Sequence, residues 1–286
     1  MSVDEQRAPA GRPGELVAGF LPLVYNIVGW GLDGHADVDA TVRETMLRAV
    51  HGLIDGVDPA RFRPWLVALA ARPVRERVHN RLAAQSRVTG LPAPRDPADP
   101  ATDFAGLAIA RLGLGGQRRE VAEATRWLDL EDRPLLALWW PEAAGELTRE
   151  ELAGAMGLST LHAAVPVLRL KGRLKSARTV VRALAARPRC RGMEATLVGW
   201  DGRADPVWRE RIGRHIHDCH GCVRHRAQVL PAERLLVGMP PVPPPAGLSV
   251  PGAGGPEPAG GRSRWFGQLT HGLLASRSAR RPPARR

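Results

Sequence analysis

Three cysteines and a histidine in the C-terminal third of the chain have the residue types and spacing of a metal site. Cys190, Cys219 and Cys222 are the only cysteines among the 286 residues, and the last two form a C-x-x-C pair. His215 lies four residues before Cys219, so a helix would place the two side chains on one face. Three thiolates and one imidazole are a usual ligand set of structural zinc. The pattern therefore predicts a Zn²⁺ site formed by Cys190, His215, Cys219 and Cys222.

Two other uses of these cysteines stay open at this point, namely three unrelated buried thiols or a C-x-x-C redox pair. Their clustering around an in-phase histidine favours the metal. His217, His220 and His225 are interpreted as solvent-exposed neighbours, although His217 or His220 could replace His215 as a ligand. Four protein ligands leave no open position for water, so the predicted site is structural or regulatory rather than catalytic.

The strong positive charge permits nucleic-acid binding but does not establish it. The net charge is +12 and the pI is about 11.2. Lysine occurs only at Lys171 and Lys175, so nearly all of the positive charge is arginine. Together with the abundance of alanine, glycine and proline, this suggests a compositional bias of the whole chain rather than a selected phosphate-binding face. An aromatic content of 5% argues against a platform that stacks single-stranded bases.

Several functional classes are not expected from the sequence. There is no nucleophile-elbow motif, no phosphate-binding loop and no dinucleotide fingerprint, and no carboxylate pair can be placed across a substrate. We therefore expect neither an enzyme nor a small-molecule substrate. No apolar run has the length of a transmembrane segment, and the N-terminus has no signal-peptide core. The expectation is a cytoplasmic protein whose reduced thiols bind metal.

Apolar periodicity and composition divide the chain into five parts of an all-α protein. Helical spacing of apolar residues predicts two helical modules, and prolines mark the segment between them. The predicted parts are a helical module over 14–85, a flexible linker over 86–102, a second helical module over 103–186, a zinc-binding domain over 187–230, and a Pro/Gly-rich, Arg-rich and mostly disordered tail over 231–286.

The first module contains an amphipathic helix over 41–54 that resembles a helix of bacterial sigma factors. Its outer face carries charged residues, and acidic residues precede it. In sigma factors of the extracytoplasmic-function type this helix docks on the polymerase clamp, and the following segment, similar to Phe62-x-x-Trp65-Leu66 here, meets the −10 promoter element. The resemblance implies that core RNA polymerase is contacted by Asp37, Asp39, Arg43, Glu44 and Arg48.

The second module contains a predicted helix-turn-helix. Thr148 and Glu151 have capping-box spacing, Gly157 ends that helix, and Leu158-Ser159 opens another helix over 162–178. This unit resembles the sigma-factor module that binds the −35 element, and it follows the first module in the same order. The resemblance implies that promoter DNA is contacted by His162, Arg169, Lys171, Arg173 and Lys175.

The predicted recognition helix is unusually apolar for a helix that enters the major groove. Ala164, Val165 and Pro166 stand where the family usually carries lysine, serine and arginine. Base edges are recognised by hydrogen-bonding side chains, which these three residues lack. The alternative is therefore a degenerate sigma-like scaffold that acts through protein contacts without promoter recognition.

The cysteine-containing segment resembles the zinc-binding anti-sigma domain. Cys190 is followed by Trp200-Asp-Gly202 and then by the H-x-x-x-C-x-x-C run. Such domains contact sigma modules and block the polymerase. Because this segment is on the same chain as the two helical modules, the resemblance implies regulation in cis through intramolecular contact. The expected function is a sigma-factor-like transcription initiation regulator with a fused zinc-binding domain.

Overall fold

The computed structural model of the chain describes residues 13–33, 37–87 and 103–250, and within them it is helical without strands. The all-α prediction is confirmed. The N-terminal helices are α1 (Pro13–Ala18), α2 (Leu21–Leu32), α3 (Val38–Ile54) and α4 (Pro59–Arg87). They are followed by α5 (Phe104–Leu112), α6 (Gly116–Thr125), α7 (Arg133–Ala144), α8 (Arg149–Ala155) and α9 (Thr160–Ala185). The C-terminal helices are α10 (Arg191–Thr196), α11 (Pro206–Asp218) and α12 (Ala232–Leu236), with 3-10 turns at Leu130–Asp132 and Val223–Arg226.

The helix α2 is the centre of the N-terminal part because it is apolar on every side. All residues from Leu23 to Leu32 are buried, and α3, α4 and α7 surround the helix. A helix that is hydrophobic all round must lie inside a core, whereas an amphipathic helix such as α3 covers the outside. The core therefore forms around α2.

The two predicted helical modules share one hydrophobic core. Trp30 of α2 stacks on Trp140 of α7 with ring centroids 3.9 Å apart, and it meets the edge of Phe104 in α5 at 5.0 Å. The buried guanidinium of Arg133 forms an ion pair with Asp33 at 2.7 Å. The two predicted modules thus pack directly against each other. Most of the predicted linker, residues 88–102, lies outside the described residues.

The local geometry around α8 and α9 agrees with the capping signals of the sequence. Thr148 and Glu151 form the capping box, Gly157 has a φ of +69°, and the Ser159 side chain caps α9 by accepting from the His162 N–H. The axes of α8 and α9 are bent by 92° across residues 156–159. This angle lies within the range found for helix-turn-helix units. The second helix is longer than predicted and continues through Pro166.

Residues 231–250 are ordered against the core, so the expectation of disorder was wrong for this part of the tail. Asn26 in α2 donates to the Val242 carbonyl at 2.9 Å and accepts from the Val242 N–H at 3.0 Å. Gly238 donates to Ala144 of α7 at 3.1 Å, and Leu248 is buried. The remainder of the predicted tail, residues 251–286, lies outside the described residues.

Among the described residues, no single helix has both the length and the apolar character needed to cross a membrane. Taken together, α8 and α9 satisfy that test by length and composition, but they form a sharply bent pair.

Candidate metal centre

The four predicted ligand atoms converge at one point. The Sγ atom of Cys190 lies 3.3 Å from Nε2 of His215, 3.3 Å from Sγ of Cys222 and 3.9 Å from Sγ of Cys219. Cys222 Sγ is 3.4 Å from His215 Nε2, and all four atoms lie within 4.8 Å of one another. The Cys3His cluster could therefore hold a metal ion.

Three short elements bring these ligands together. Cys190 is the N-cap residue of α10, where its Sγ accepts from the Met193 N–H at 3.2 Å. His215 lies in the last turn of α11, and Cys219 is the C-cap residue of that helix. The Cys222 N–H donates to the Cys219 carbonyl at 3.0 Å, which closes the turn between the last two ligands. The helix end and the following turn thus supply three ligands, and the start of α10 supplies the fourth.

The distances fit a four-coordinate tetrahedral ion. Metal–sulfur bonds of about 2.3 Å separate two sulfur ligands by roughly 3.8 Å at the tetrahedral angle. Four of the six separations among these atoms are 3.3–3.9 Å, close to this value, and none exceeds 4.8 Å. All four ligand positions come from protein side chains, so the geometry favours a closed site over one that binds substrate.

The local electrostatics differ between the two cysteines of the C-x-x-C pair. The backbone N–H of Cys222, and then that of Gly221, lower the pKa of Cys219 because they donate to its thiolate. Burial, followed by hydrogen bonding to Cys190 and Cys219, raises the pKa of Cys222 to about 12. Bringing three thiolates together is therefore unfavourable without a compensating positive charge, and a divalent cation supplies that charge.

The neighbouring histidines lie outside the cluster. His217 and His220 are exposed, and His217 Nδ1 lies 2.9 Å from its neighbour Asp218. His225 is half-buried, and burial lowers its pKa. The histidine of the Cys3His cluster is His215, and neither His217 nor His220 belongs to it.

Gly192 is a residue of the site that the sequence analysis did not identify. A Cβ atom added at Gly192 would lie 2.8 Å from Cε1 of His215, closer than unstrained atoms approach. The imidazole can therefore reach Cys190 only because position 192 has no side chain. The sequence does contain a signal for this role, namely a glycine two residues after Cys190. Glycine destabilises a helix, so its presence there indicates that a side chain would not fit.

The substitution Gly192→Ala is expected to weaken metal binding by about tenfold or more, because the added methyl group would displace the His215 imidazole from the position at which it faces the three sulfur atoms. The matched control is Gly221→Ala, whose added Cβ would make an ordinary contact of 3.9 Å with Cys219 Sγ. Zinc affinity measured by competition with a chromophoric chelator checks both variants. Equal affinities for Gly192→Ala and the parent protein would contradict this role.

The candidate metal centre is attached to the second helical unit by specific contacts. Arg209 of α11 donates to the Trp127 carbonyl at 2.6 Å and to Asp129 at 3.0 Å. The ring of Trp200 lies between those of Trp127 and Trp208, with centroid distances of 5.9 and 6.3 Å. In addition, α11 packs along α9. The cysteine-rich segment is thus part of the same folded body.

The five residues predicted to contact DNA do not form one exposed face. Lys171 is ion-paired with Glu233 at 3.0 Å, and Arg173 contacts Asp132 at 2.5 Å. Lys171 is half-buried, whereas His162, Arg169, Arg173 and Lys175 are exposed, with Ser159 as the hydrogen-bonding partner of the His162 ring.

The predicted polymerase-contacting residues lie at the N-terminus and on the outer face of α3. Arg43, Glu44 and Arg48 are exposed, and the last two form an ion pair at 2.6 Å. Asp37 and Asp39 are half-buried, and the Asp37 carboxylate forms an ion pair with Arg77 of α4. Three of the five residues are thus available at the surface.

Comparison of the chain with protein-family models, with curated proteins and with solved structures found no match.

Proposed function

We propose that this chain is a sigma-factor-like regulator of transcription initiation that binds core RNA polymerase and promoter DNA, with a zinc-binding domain that regulates it in cis. The observation that carries the proposal is the exposed charged face of α3, on the helix whose sequence resembles the polymerase-binding helix of sigma factors. The exposure supports docking, because a buried face could not contact a second protein.

The charges on α3 are dispensable for the fold, which supports an intermolecular role. The Glu44–Arg48 pair is more than half exposed on both side chains, and such pairs contribute little to stability. Leu47 lies on the same face and is 40% exposed. An aliphatic side chain among charged ones is typical of protein-binding surfaces, where the apolar residue is buried on association and the charges select the partner.

Zinc is the metal that we assign to the Cys3His cluster. Thiolate ligands select soft or borderline metals, and the tetrahedral sulfur and nitrogen set is typical of structural zinc. The bound ion would stabilise the fold of the segment, because the three thiolates are brought together only in the folded chain. In this role Cys190, His215, Cys219 and Cys222 hold the ion, and Gly192 gives the histidine ring its position.

The contacts between the metal segment and α9 support regulation within the chain. The helix α11 covers one side of α9, and Glu233 of α12, which follows the metal segment, neutralises Lys171 of α9. Phosphate contacts from α9 would require Lys171 to be released from that pair. A rearrangement that moves α11 and α12 away from α9 would therefore change the charge that α9 presents to DNA.

A second candidate function is a protein-binding scaffold without promoter recognition, and one observation favours it. On the outer face of α9, Leu161, Val165 and Leu168 are 79%, 55% and 71% exposed. Their spacing of four and three residues places them in one apolar stripe. Such a stripe matches the groove of a partner protein better than it matches the donors and acceptors of a DNA major groove.

Transcription initiation assays separate the two candidates. We expect the zinc-loaded full-length protein to bind core RNA polymerase and to form open complexes on a promoter library. The substitution Arg48→Glu should weaken polymerase binding by about tenfold, because it reverses a charge at the docking face. The matched control is Arg119→Glu, which breaks an i,i+4 ion pair on α6 whose arginine is about as exposed as Arg48.

Two outcomes reject parts of the proposal. Polymerase binding without promoter opening would support the scaffold and reject promoter recognition. Failure to bind polymerase, or equal losses in Arg48→Glu and Arg119→Glu, would reject α3 as a docking surface.

A further inference from the structure

A cleft of about 800 Å³ lies between α9, α11 and the 3-10 turn Val223–Arg226. Gly172 of α9 and Gly213 of α11 line it, so neither helix fills the space with a side chain at these positions. Its volume is in the range of roughly 300–1,000 Å³ that small-molecule sites occupy. The cleft is therefore large enough for a ligand of nucleotide size.

The charged residues that line the cleft are mostly cations. They are Lys175, Arg209, Arg214 and Arg226, with Glu210 as the single carboxylate. Glu210 lies 3.5 Å from Arg214 in an exposed pair. Lys175 and Arg226 are exposed and form no ion pair with any carboxylate of the described residues. The cleft thus retains positive charge that the fold itself does not neutralise.

One of these cations is held in a fixed position. The guanidinium of Arg209 is mostly buried, and its N–H groups donate to the Trp127 carbonyl and to the Asp129 carboxylate. Arg209 also lines the cleft, so a ligand there would use N–H groups that Trp127 and Asp129 do not occupy. Ser176 adds a hydroxyl donor on the α9 side of the cleft. A guanidinium, an ammonium group and a hydroxyl that line one cleft are groups that commonly bind phosphate.

We propose that this cleft binds a small phosphorylated ligand of nucleotide size. Its cations come from two helices and a turn, so they surround a group that enters the cleft. Double-helical DNA, in contrast, is contacted by elements that protrude into its grooves. The concave shape therefore favours a small molecule over a nucleic-acid backbone.

Ligand binding at this position would connect the metal centre with α9. Lys175 lies on α9. Arg214 directly precedes His215 of the metal centre, and Arg226 follows Cys222 of the metal centre by four residues. A phosphate that contacts all three cations would hold α11 and the 3-10 turn against α9. Because the ligand binds only the folded arrangement, it would also raise the thermal stability of the protein.

Calorimetric titration of ADP into the full-length, zinc-loaded protein in magnesium-free buffer tests the site. We expect one ADP per chain, no binding of adenosine, and about tenfold weaker binding in Lys175→Ala and in Arg226→Ala, since each removes a charge-assisted contact. The matched controls are Arg169→Ala on α9 and Arg224→Ala on the 3-10 turn. Both remove one exposed positive charge outside the cleft.

A variant with increased affinity is needed as well, because misfolding can lower the affinity for ADP but cannot raise it. Glu210→Gln removes the single carboxylate of the cleft and should strengthen ADP binding by about two- to fivefold, in line with the strength of exposed charge interactions. Zinc content measured after each titration verifies that the metal centre is intact.

Three outcomes would overturn the proposal. One is the absence of saturable ADP binding in protein that retains its zinc. Another is an equal loss of affinity in the Arg169 and Arg224 controls, which would indicate unspecific attraction. The third is binding of a short DNA duplex that is lost in Lys175→Ala and Arg226→Ala, while ADP does not bind. This result would show that the two cations contact a DNA backbone instead.

Discussion

Cys222→Ser is expected to abolish stoichiometric zinc binding and to lower the free energy of unfolding by more than about 4 kcal/mol, the range reached when a structural metal is lost. Cys222 is the most buried of the four ligands, 3% exposed, and its sulfur lies close to both Cys190 and His215. A serine hydroxyl is shorter and is not deprotonated at neutral pH. Three remaining ligands would leave the ion open to water.

Urea unfolding together with zinc quantification by atomic emission measures this effect. The matched control is His220→Ala, an exposed side chain between two ligands, which should retain both the zinc and the parental stability. A Cys222→Ser protein that keeps one zinc per chain would contradict the assigned ligand set. Zinc loss in His220→Ala would instead reopen the choice of the histidine ligand.

Gly29→Ala is the second substitution with a large expected effect. A Cβ atom at this position would lie 2.0 Å from Cε2 of Phe104, a ring that is 1% exposed and packed between Tyr25 and Trp30. The ring cannot move away without opening the core between α2 and α5. We expect a destabilisation of about 3 kcal/mol or more, at the upper end of overpacking effects.

A helical glycine with free space around it provides the control for Gly29. Gly154 in α8 has no heavy atom within 4 Å of an added Cβ, so Gly154→Ala should stabilise the protein by about 0.5–1 kcal/mol through helix propensity alone. Thermal unfolding followed by circular dichroism compares the two variants. If Gly29→Ala were as stable as the parent, the close approach of α2 and α5 would be wrong.

Three of the four residues of the Cys3His cluster could be predicted to lie together because their spacing is a local property. His215, Cys219 and Cys222 lie at the end of one helix and in the turn after it, so helical geometry and the C-x-x-C spacing already bring them together. Cys190 was predicted to belong to the cluster because it is the one cysteine outside the C-x-x-C pair. Gly192 was not identified, because its role depends on how closely α10 approaches the ring of His215.

The capping signals of α8 and α9 were predictable for the same reason. A capping box and a left-handed glycine involve hydrogen bonds between residues a few positions apart, and the structure contains both. The packing of α2 against α7 was not predictable from periodicity. The contact of Trp30 with Trp140 joins residues separated by most of the first module, by the proline-rich segment and by the first part of the second module.

The ordered part of the tail shows why composition alone misled the prediction for residues 231–250. Prolines lack an N–H donor, so such a segment forms few hydrogen bonds of its own. Here side chains from distant helices supply them: Asn26 pairs with Val242, and Arg111 donates to the Pro243 carbonyl. The ion pairs of Lys171 with Glu233 and of Arg173 with Asp132 could not be predicted either, because the partners are distant in sequence.

Zinc X-ray absorption spectroscopy on the purified full-length protein, with the metal content determined on the same sample, tests whether the Cys3His cluster is a closed zinc centre. We expect one zinc per chain, surrounded by three sulfur atoms at about 2.3 Å and one nitrogen at about 2.0 Å. A first shell with two sulfur atoms and additional oxygen atoms, or protein that folds without metal, would contradict a closed centre formed by Cys190, His215, Cys219 and Cys222.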